Sequence, residues 1–219
     1  MTKSQSDWIV GRVGSVESLN LGVWDQCINL ALEAYNAGSV GIAAIVVDKS
    51  GKLVAKGRNQ LNDDLDSGNI IKMTSIAHAE MNALNNIPRE RQQDRELVLY
   101  TTVEPCPMCL GAIVMSKIRK VIIGSADPYT GSVQLLEKDD YLRKKGITVE
   151  FAQGKGEEMC FALHYLSLKR DIGPLHPIFS SIHTRYPVYA KKLDNWIEAS
   201  RFVYGEPVDR AQLLEMVGC

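Results

Sequence analysis

Two short clusters of potential metal ligands constrain this chain of 219 residues more than any other feature. The first is Ala-His-Ala-Glu at 77–80, and the second is Glu-Pro-Cys-Pro-Met-Cys at 104–109. Cys106 and Cys109 are three residues apart, so on a helix their thiolates project from one face and can bind one ion. His78 supplies a third protein ligand. We therefore expect the fold to bring the two clusters together around a single metal ion.

Sulfur ligands combined with imidazole favour zinc, and the number of ligands indicates its role. A structural zinc site usually has four protein ligands, whereas three leave a position open for water. Zinc lowers the pKa of its bound water from about 15.7 to about 7, so hydroxide becomes available at neutral pH. Glu80, two residues after His78, is placed to transfer protons without binding the ion. We therefore predict a hydrolytic zinc centre.

Each cluster has a simpler explanation when it is taken alone. A Cys-x-x-Cys pair is common in structural zinc sites and in redox-active dithiols. A redox pair explains neither His78 nor Glu80, and a structural zinc module leaves the carboxylate without a role. The two clusters together favour the catalytic interpretation, and a zinc-stabilised interaction module is the non-enzymatic alternative.

The spacing also predicts where the clusters lie in their helices. Residues two apart on a helix point about 200° apart, so His78 and Glu80 both reach the ion only if the motif begins the helix. Ser75 fits as a nearby N-cap, and Pro105 and Pro107 suit the start of the second helix. At both helix N-termini the macrodipole would stabilise the thiolates.

The remaining pattern predicts an α/β fold in which helices alternate with short strands after an opening hairpin. The predicted helices cover 21–36, 77–87, 106–117, 133–145 and 157–169, and the predicted strands cover 40–47, 52–58, 97–101, 120–124 and 147–151. We predict a three-layer α/β/α sandwich around a five-stranded mixed sheet. The segment 59–75 is a long loop before the first cluster, and such loops are usually functional or mobile.

The composition changes after Arg170, where prolines and a cluster of aromatic residues begin. We predict a catalytic core over 1–170 and a helical C-terminal extension over 171–219, with helices near 189–202 and 208–217. Aromatic residues of this kind are typical of cores and interfaces. The extension is therefore interpreted as a lid or a dimer contact.

Composition and charge exclude several other classes of protein. Hydrophobic residues make up 45% of the chain and charged residues 23%, which indicates neither disorder nor a membrane protein. The net charge of −1 counts against a dedicated nucleic-acid-binding protein. Residues 1–7 are polar, and no apolar run is long enough to cross a bilayer. We expect a cytoplasmic protein without disulfides, in which Cys27 and Cys160 are buried thiols.

The motifs resemble the cytidine deaminase-like superfamily. The resemblance rests on Ala-His-Ala-Glu at 77–80 and Thr-Val-Glu-Pro-Cys-Pro-Met-Cys-Leu-Gly-Ala at 102–112, and it extends over about 21–170. Within the superfamily, the chain is most similar to the branch of guanine deaminases, fungal-type cytosine deaminase and tRNA adenosine deaminases. The resemblance implies a hydrolytic deaminase that acts as a homodimer with active sites near the subunit interface.

The resemblance also implies roles for individual residues. His78, Cys106 and Cys109 would bind zinc, and Glu80 would carry protons from water to the ring nitrogen and the leaving amine. Asn59 matches the branch's asparagine that hydrogen-bonds the bound base or nucleoside. An ordinary asparagine at the end of a strand is the alternative interpretation of Asn59.

Three features depart from the branch. The first strand has Val-Gly-Ile-Ala-Ala at 40–44 in place of the usual Pro and Gly-Ala pair, and the loop from 59 to 78 is longer than in the tRNA enzymes. The extension at 171–219 has no recognised counterpart. In contrast, Asp-Pro-Tyr-Thr-Gly-Ser at 127–132 resembles the Asp-x-x-Thr-Gly loop of tRNA adenosine deaminases, although it is also a favourable turn sequence.

We therefore predict a zinc-dependent hydrolase that releases ammonia from a small aminated purine or pyrimidine base or nucleoside, either guanine-like or cytosine-like. The alternative is a tRNA adenosine deaminase that makes inosine, which needs a basic groove and an unpaired base. The balanced charge and the acidic segment at 62–66 favour the small molecule over tRNA.

Overall fold

A mixed β-sheet forms the centre of the protein in a computed structural model that describes residues 11–12, 21–173 and 175–219. The strands are β1 (Gly11–Arg12), β2 (Ala43–Val47), β3 (Leu53–Arg58), β4 (Val98–Val103), β5 (Lys120–Ser125) and β6 (Thr148–Phe151). Their order across the sheet is β1-β6-β5-β4-β2-β3. β2 is antiparallel to β3 and β4, and the other neighbouring strands are parallel. The predicted five-stranded mixed sheet is confirmed, and the two-residue β1 adds a sixth strand at one edge.

Nine α-helices lie in the described part of the chain. They are α1 (Leu21–Asn36), α2 (Ala79–Asn85), α3 (Pro107–Met115), α4 (Leu135–Lys138), α5 (Asp140–Arg143), α6 (Lys155–Asp171), α7 (Ile178–Arg185), α8 (Pro187–Ser200) and α9 (Arg210–Met216). None of these helices is long and apolar enough to cross a membrane. Residues 1–10 and 13–20 of the predicted core, and Pro174 of the extension, lie outside the described residues.

The predicted helix over 133–145 is wrong as a single element, because it divides into α4 and α5. Asp139 lies between the two helices with an extended backbone, at φ −103° and ψ 129°. Its carboxylate accepts hydrogen bonds from the backbone N–H groups of Tyr141 and Leu142, and so it caps α5. An aspartate that satisfies the first N–H groups of a new helix competes with continuation of the preceding one.

The sheet is buried between two layers of helices because its central strands are apolar on both faces. On β2, Ala43, Ile45 and Val47 join the core formed with α1 and α6, whereas Ala44 and Val46 join the core formed with α2 and α3. β4 and β5 divide their side chains in the same way. The predicted three-layer α/β/α sandwich is therefore confirmed.

The C-terminal extension, 171–219, packs on the outer side of the α1 and α6 layer. Phe179 and Leu213 are buried in the same apolar core as these two helices. Asn36, the last residue of α1, exchanges two hydrogen bonds of 2.9 and 2.8 Å with the backbone of Val208. The extension thus shares a core with the sandwich, while its role as a lid or dimer contact stays a prediction.

Candidate active site

Three potential ligand atoms meet where α2 and α3 begin. His78 and Cys106 are the N-cap residues of these helices, and Cys109 lies in the first turns of α3. Nδ1 of His78 lies 3.7 Å from Sγ of Cys106 and 3.5 Å from Sγ of Cys109. The ligand atoms of all three residues lie within 4.8 Å of one another. The structure therefore brings the three predicted ligands together.

The spacing of these atoms fits zinc. With Zn–S bonds of about 2.3 Å and Zn–N bonds of about 2.0 Å, tetrahedral geometry places the nitrogen and a sulfur about 3.5 Å apart. The two observed separations, 3.7 and 3.5 Å, are close to that value. Two sulfurs and one imidazole nitrogen are also a ligand set that zinc accepts. Three ligands from the chain leave a fourth position for a water or substrate atom.

The electrostatics of the cluster favour a cation. A hydrogen bond from Cys109 lowers the pKa of Cys106 to about 4, while the pKa of Cys109 is raised by the same bond and by burial. The hydrogen bond with Cys106 also raises the pKa of His78. The pair of thiols therefore loses its first proton readily, keeps the second proton between the two sulfurs, and loses that second proton only with difficulty. A divalent cation would replace these protons and stabilise both thiolates.

The prediction that both clusters begin helices is confirmed, but Ser75 is not the N-cap of α2. His78 occupies the N-cap position with an extended backbone, and its side chain makes no capping hydrogen bond. A separate turn precedes it, in which the N–H of Ala77 donates to the carbonyl oxygen of Thr74 at 2.9 Å. The imidazole is thereby directed to the cluster instead of to the N–H groups of α2.

Glu80 lies in the first turn of α2 with only 4% of its surface exposed. Burial raises the pKa of its carboxyl group, and the nearby positive charge of His78 and a hydrogen bond from Cys109 offset part of that effect. The hydroxyl of Thr101, on β4, donates to Oε1 of Glu80 at 3.1 Å. Glu80 thus lies at the metal cluster as a buried carboxyl group that can hold a proton. Thr101 was not predicted from the sequence, where it is one of two adjacent threonines near the end of β4.

Asn59 follows the last residue of β3 and is 3% exposed. Its Oδ1 accepts a hydrogen bond of 3.1 Å from the N–H of Leu61, whereas its Nδ2 has no hydrogen-bond partner among the described residues. The next residue, Gln60, donates its N–H to the carbonyl oxygen of Ala77 at 3.0 Å. This bond brings the end of β3 beside the residue that precedes His78, so Asn59 lies close to the first cluster in the fold.

A buried ion pair fixes the chain on either side of Asn59. Asp63 accepts two hydrogen bonds of 2.8 Å from Arg58, one of 2.9 Å from Gln60 and one of 2.6 Å from Ser39. Burial raises the pKa of Asp63, but these hydrogen bonds outweigh burial and hold the pKa at about 2. Because Asp63 is buried and paired, the acidic segment at 62–66 presents less negative charge to solvent than its sequence suggests.

The predicted long loop, 59–75, has no helix or strand, yet it is tied to α2. The amide of Asn82 accepts from the N–H of Ile71 at 3.1 Å and donates to its carbonyl oxygen at 2.9 Å. The same amide donates to the carbonyl oxygen of Arg58 at 3.2 Å. Gly57 allows this close packing, since a Cβ at that position would lie 2.3 Å from the backbone nitrogen of Ala83.

A second loop, 127–132, closes over the residues that precede Cys106. The carboxyl group of Glu104 accepts from the N–H groups of Asp127, at 3.2 Å, and Val133, at 3.1 Å. The hydroxyl of Ser132 donates to the carbonyl oxygen of Pro105 at 2.7 Å. Burial raises the pKa of Glu104 to about 7. The 127–132 loop is therefore a turn, as its sequence allows, and also a support for the second cluster.

Residues 20–125 match the sequence model of a protein family, the zinc-binding region of cytidine and deoxycytidylate deaminases. A tRNA-specific adenosine deaminase from Haemophilus influenzae is 34% identical over 137 residues, which cover 61% of this chain and 73% of that relative. The chain belongs to the cytidine and deoxycytidylate deaminase family. The resemblance predicted from the two clusters is confirmed, and so is zinc as the metal of the matched region.

Two guanine deaminases are also similar to this chain. A guanine deaminase from Bacillus subtilis is 31% identical over 122 residues, which cover 55% of this chain and 72% of that relative. The solved structure of a guanine deaminase from Nitrosomonas europaea is 22% identical with a TM-score of 0.50, and the match covers 66% of this chain and 81% of that chain. At this level of identity, the structural match supports the deaminase fold.

Proposed function

We propose that this member of the deaminase family is a zinc-dependent hydrolase that releases ammonia from an aminated purine or pyrimidine base or nucleoside. A guanine-like or cytosine-like compound is the proposed substrate. One observation carries the proposal. A nitrogen and two sulfurs that suit zinc converge beside the buried carboxyl group of Glu80 at the starts of α2 and α3.

We assign the zinc-binding role to Nδ1 of His78 and to Sγ of Cys106 and Cys109. The chemistry that zinc supplies when bound is activation of the attacking water at neutral pH. The reaction adds water at the carbon that bears the amine and releases ammonia from the same carbon. The protein must therefore accept a proton from the attacking water and deliver it to the ring nitrogen, and then accept the second proton of that water and deliver it to the leaving amine.

Glu80 is the proposed carrier of these protons. Its carboxyl group is buried, and its pKa is raised mainly by burial, so it can hold a proton between the two halves of the reaction. Thr101 holds Oε1 in place through its hydroxyl group. We assign to Thr101 the role of fixing the orientation of the carboxyl group.

Asn59 is the proposed contact to the base. Its Nδ2 has no hydrogen-bond partner among the described residues, and its Oδ1 is held by Leu61. A fixed amide with a free N–H donor can recognise a carbonyl oxygen or an unprotonated ring nitrogen of an aromatic base. The ion pair between Arg58 and Asp63 would keep this amide oriented.

Adenosine deamination in tRNA is the second candidate. It is supported by the 34% identity to the Haemophilus influenzae enzyme and by the Asp-x-x-Thr-Gly pattern of the 127–132 loop. The B. subtilis guanine deaminase, at 31% identity, supports the small-molecule substrate. The net charge of −1 favours the small molecule, because binding to an RNA backbone relies on positive charge. We also propose that the protein is cytoplasmic and forms a homodimer, and light scattering of the purified protein would test the homodimer.

Ammonia release tests the proposed function. Purified protein loaded with zinc is incubated with a panel of bases, nucleosides, nucleotides and unmodified tRNA. We expect ammonia from guanine or a cytosine compound, loss of activity after chelation, and recovery when zinc is added. Inosine formed only in tRNA would favour the second candidate. A protein that binds zinc but releases ammonia from no compound would support the non-catalytic interaction module and contradict the proposal.

A further inference from the structure

The C-terminal extension reaches the 127–132 loop through one buried hydroxyl group. Tyr186 connects α7 to α8 and is 7% exposed. Its hydroxyl oxygen accepts a hydrogen bond of 2.8 Å from the N–H of Ala126, the residue between β5 and the loop. The hydroxyl donates to Oε1 of Glu157 at 3.1 Å. Because its proton is directed to Glu157, the oxygen presents a lone pair to Ala126.

A second contact joins the extension to the same loop. The ring of Tyr129 meets the imidazole of His176 edge to face, with ring centroids 5.7 Å apart. His176 lies just before α7, whereas Tyr186 lies just after it. From the two ends of α7, the extension therefore contacts Ala126, which precedes the loop, and Tyr129, which lies within it.

The loop in turn holds the residues beside a zinc ligand. The N–H groups of Asp127 and Val133, one at each end of the loop, bind the carboxyl group of Glu104. Ser132 binds the carbonyl oxygen of Pro105 through its N–H at 3.1 Å and its hydroxyl at 2.7 Å. Cys106 directly follows Pro105 in the chain. A displacement of the loop would thus shift the backbone that places the Cys106 thiol.

We propose that Tyr186 is a positioning residue of the zinc site: its hydroxyl group fixes the start of the 127–132 loop and thereby the backbone that carries Cys106. This inference rests on the proposed function only for its effect on turnover. The role belongs to the hydroxyl and not to the ring. The ring is held independently by Phe161, at a centroid distance of 4.8 Å, and by Tyr189, at 5.6 Å.

The chain provides a matched pair of substitutions. Tyr186→Phe keeps the ring contacts and removes the bond to Ala126. Tyr189→Phe removes the hydroxyl group of the ring that stacks on Tyr186, and no described hydrogen bond joins that hydroxyl group to the loop. Deletion of the extension is a poorer test, since α7, α8 and α9 share the core of α1 and α6.

Amide exchange and zinc release measure the effect without a substrate. In Tyr186→Phe, the rate of amide hydrogen exchange at Ala126 reports the loss of its bond to Tyr186. The exchange rates at Asp127 and Val133 report whether the bonds from the two ends of the loop to Glu104 weaken. We expect all three amides to exchange about fivefold faster, as for the loss of one hydrogen bond, and we expect zinc to pass to a chelator about fivefold faster. Tyr189→Phe should remain within about twofold of the unsubstituted protein.

Turnover adds an independent measurement. We expect Tyr186→Phe to lower kcat while KM changes little, because the substitution displaces Cys106, which is assigned as a zinc ligand. Faster exchange at Ala126 alone, with zinc release unchanged, would overturn the inference. Equal acceleration throughout α6 would also overturn it, since that result indicates general destabilisation. Failure to release ammonia from any compound contradicts the proposed function but leaves the exchange and zinc measurements decisive for Tyr186.

Discussion

The hydroxyl of Thr101 lies 3.1 Å from Oε1 of Glu80 and 3.1 Å from the carbonyl oxygen of Val103. A hydroxyl has a single proton, so Thr101 can donate to only one of these oxygens at a time. When Glu80 is ionised, Thr101 can donate to the carboxylate. When Glu80 is protonated, it can donate to Thr101, which then donates to Val103. The same contact can therefore stabilise the carboxyl group in both protonation states.

Thr101→Val should lower kcat about tenfold without loss of zinc, because it removes about one hydrogen bond and keeps the side-chain shape. The measurement is steady-state ammonia release per zinc-loaded chain. Thr102→Val is the control, since its hydroxyl accepts from the N–H of Ala43 at 3.0 Å and makes no described contact with Glu80. Equal kcat values for the two variants would contradict the role assigned to Thr101.

Asp63→Asn should make the protein less stable at neutral pH and less sensitive to acid. The pKa of Asp63 is about 2 in the folded protein, below its value in the unfolded chain. The stabilisation is therefore present above about pH 4 and is lost as the pH falls to about 2, and it amounts to about 2 kcal/mol. Urea unfolding at several pH values measures this difference.

The exposed neighbour Asp64 provides the control for this ion pair. Asp64→Asn should change the free energy of unfolding at neutral pH by less than about 0.5 kcal/mol, as is usual for an exposed position. If Asp63→Asn and the unsubstituted protein lose stability in parallel between pH 4 and pH 2, the pairing of Asp63 with Arg58 has no role in acid stability.

Asn59→Asp should lower kcat/KM about tenfold to a hundredfold, because it replaces the free N–H donor with an oxygen that cannot donate when ionised. The substitution keeps the acceptor oxygen that binds the N–H of Leu61, so the local turn can remain. Kinetics on the substrate identified from the panel measure the effect. Asn62→Asp, at an exposed position of the same loop, is the control. Similar kinetics in both variants would indicate that Asn59 is a structural asparagine at the end of a strand and does not contact the base.

The sequence predicted the elements whose pattern is local. The spacing of apolar residues correctly predicted both ends of α1. The two ligand clusters predicted the first residues of α2 and α3 to within two positions. Ligand spacing is informative because Cys106 and Cys109 must face one ion, whatever the rest of the chain does. The break at Asp139 was also encoded locally, by a capping aspartate within an amphipathic segment.

The unpredicted features depend on partners that are distant in the sequence. Thr101 is 21 positions from Glu80, and Tyr186 is 60 positions from Ala126. Helix α7 was not predicted because it has only eight residues, among them two isoleucines and a threonine, which have modest helix propensity. It is stabilised by packing, with Phe179 edge to face against Tyr165 at a centroid distance of 5.7 Å.

Ammonia release by Glu80→Gln tests the central claim most directly. Glutamine keeps the size and an acceptor oxygen for Thr101 but cannot carry a proton. We predict one zinc per chain, an unchanged fold and ammonia release reduced by a factor of about 10³ or more on the substrate that the unsubstituted protein deaminates. Zinc content and ammonia are measured on the same preparation. Undiminished turnover in the zinc-loaded variant would contradict the assignment of Glu80 as the proton carrier.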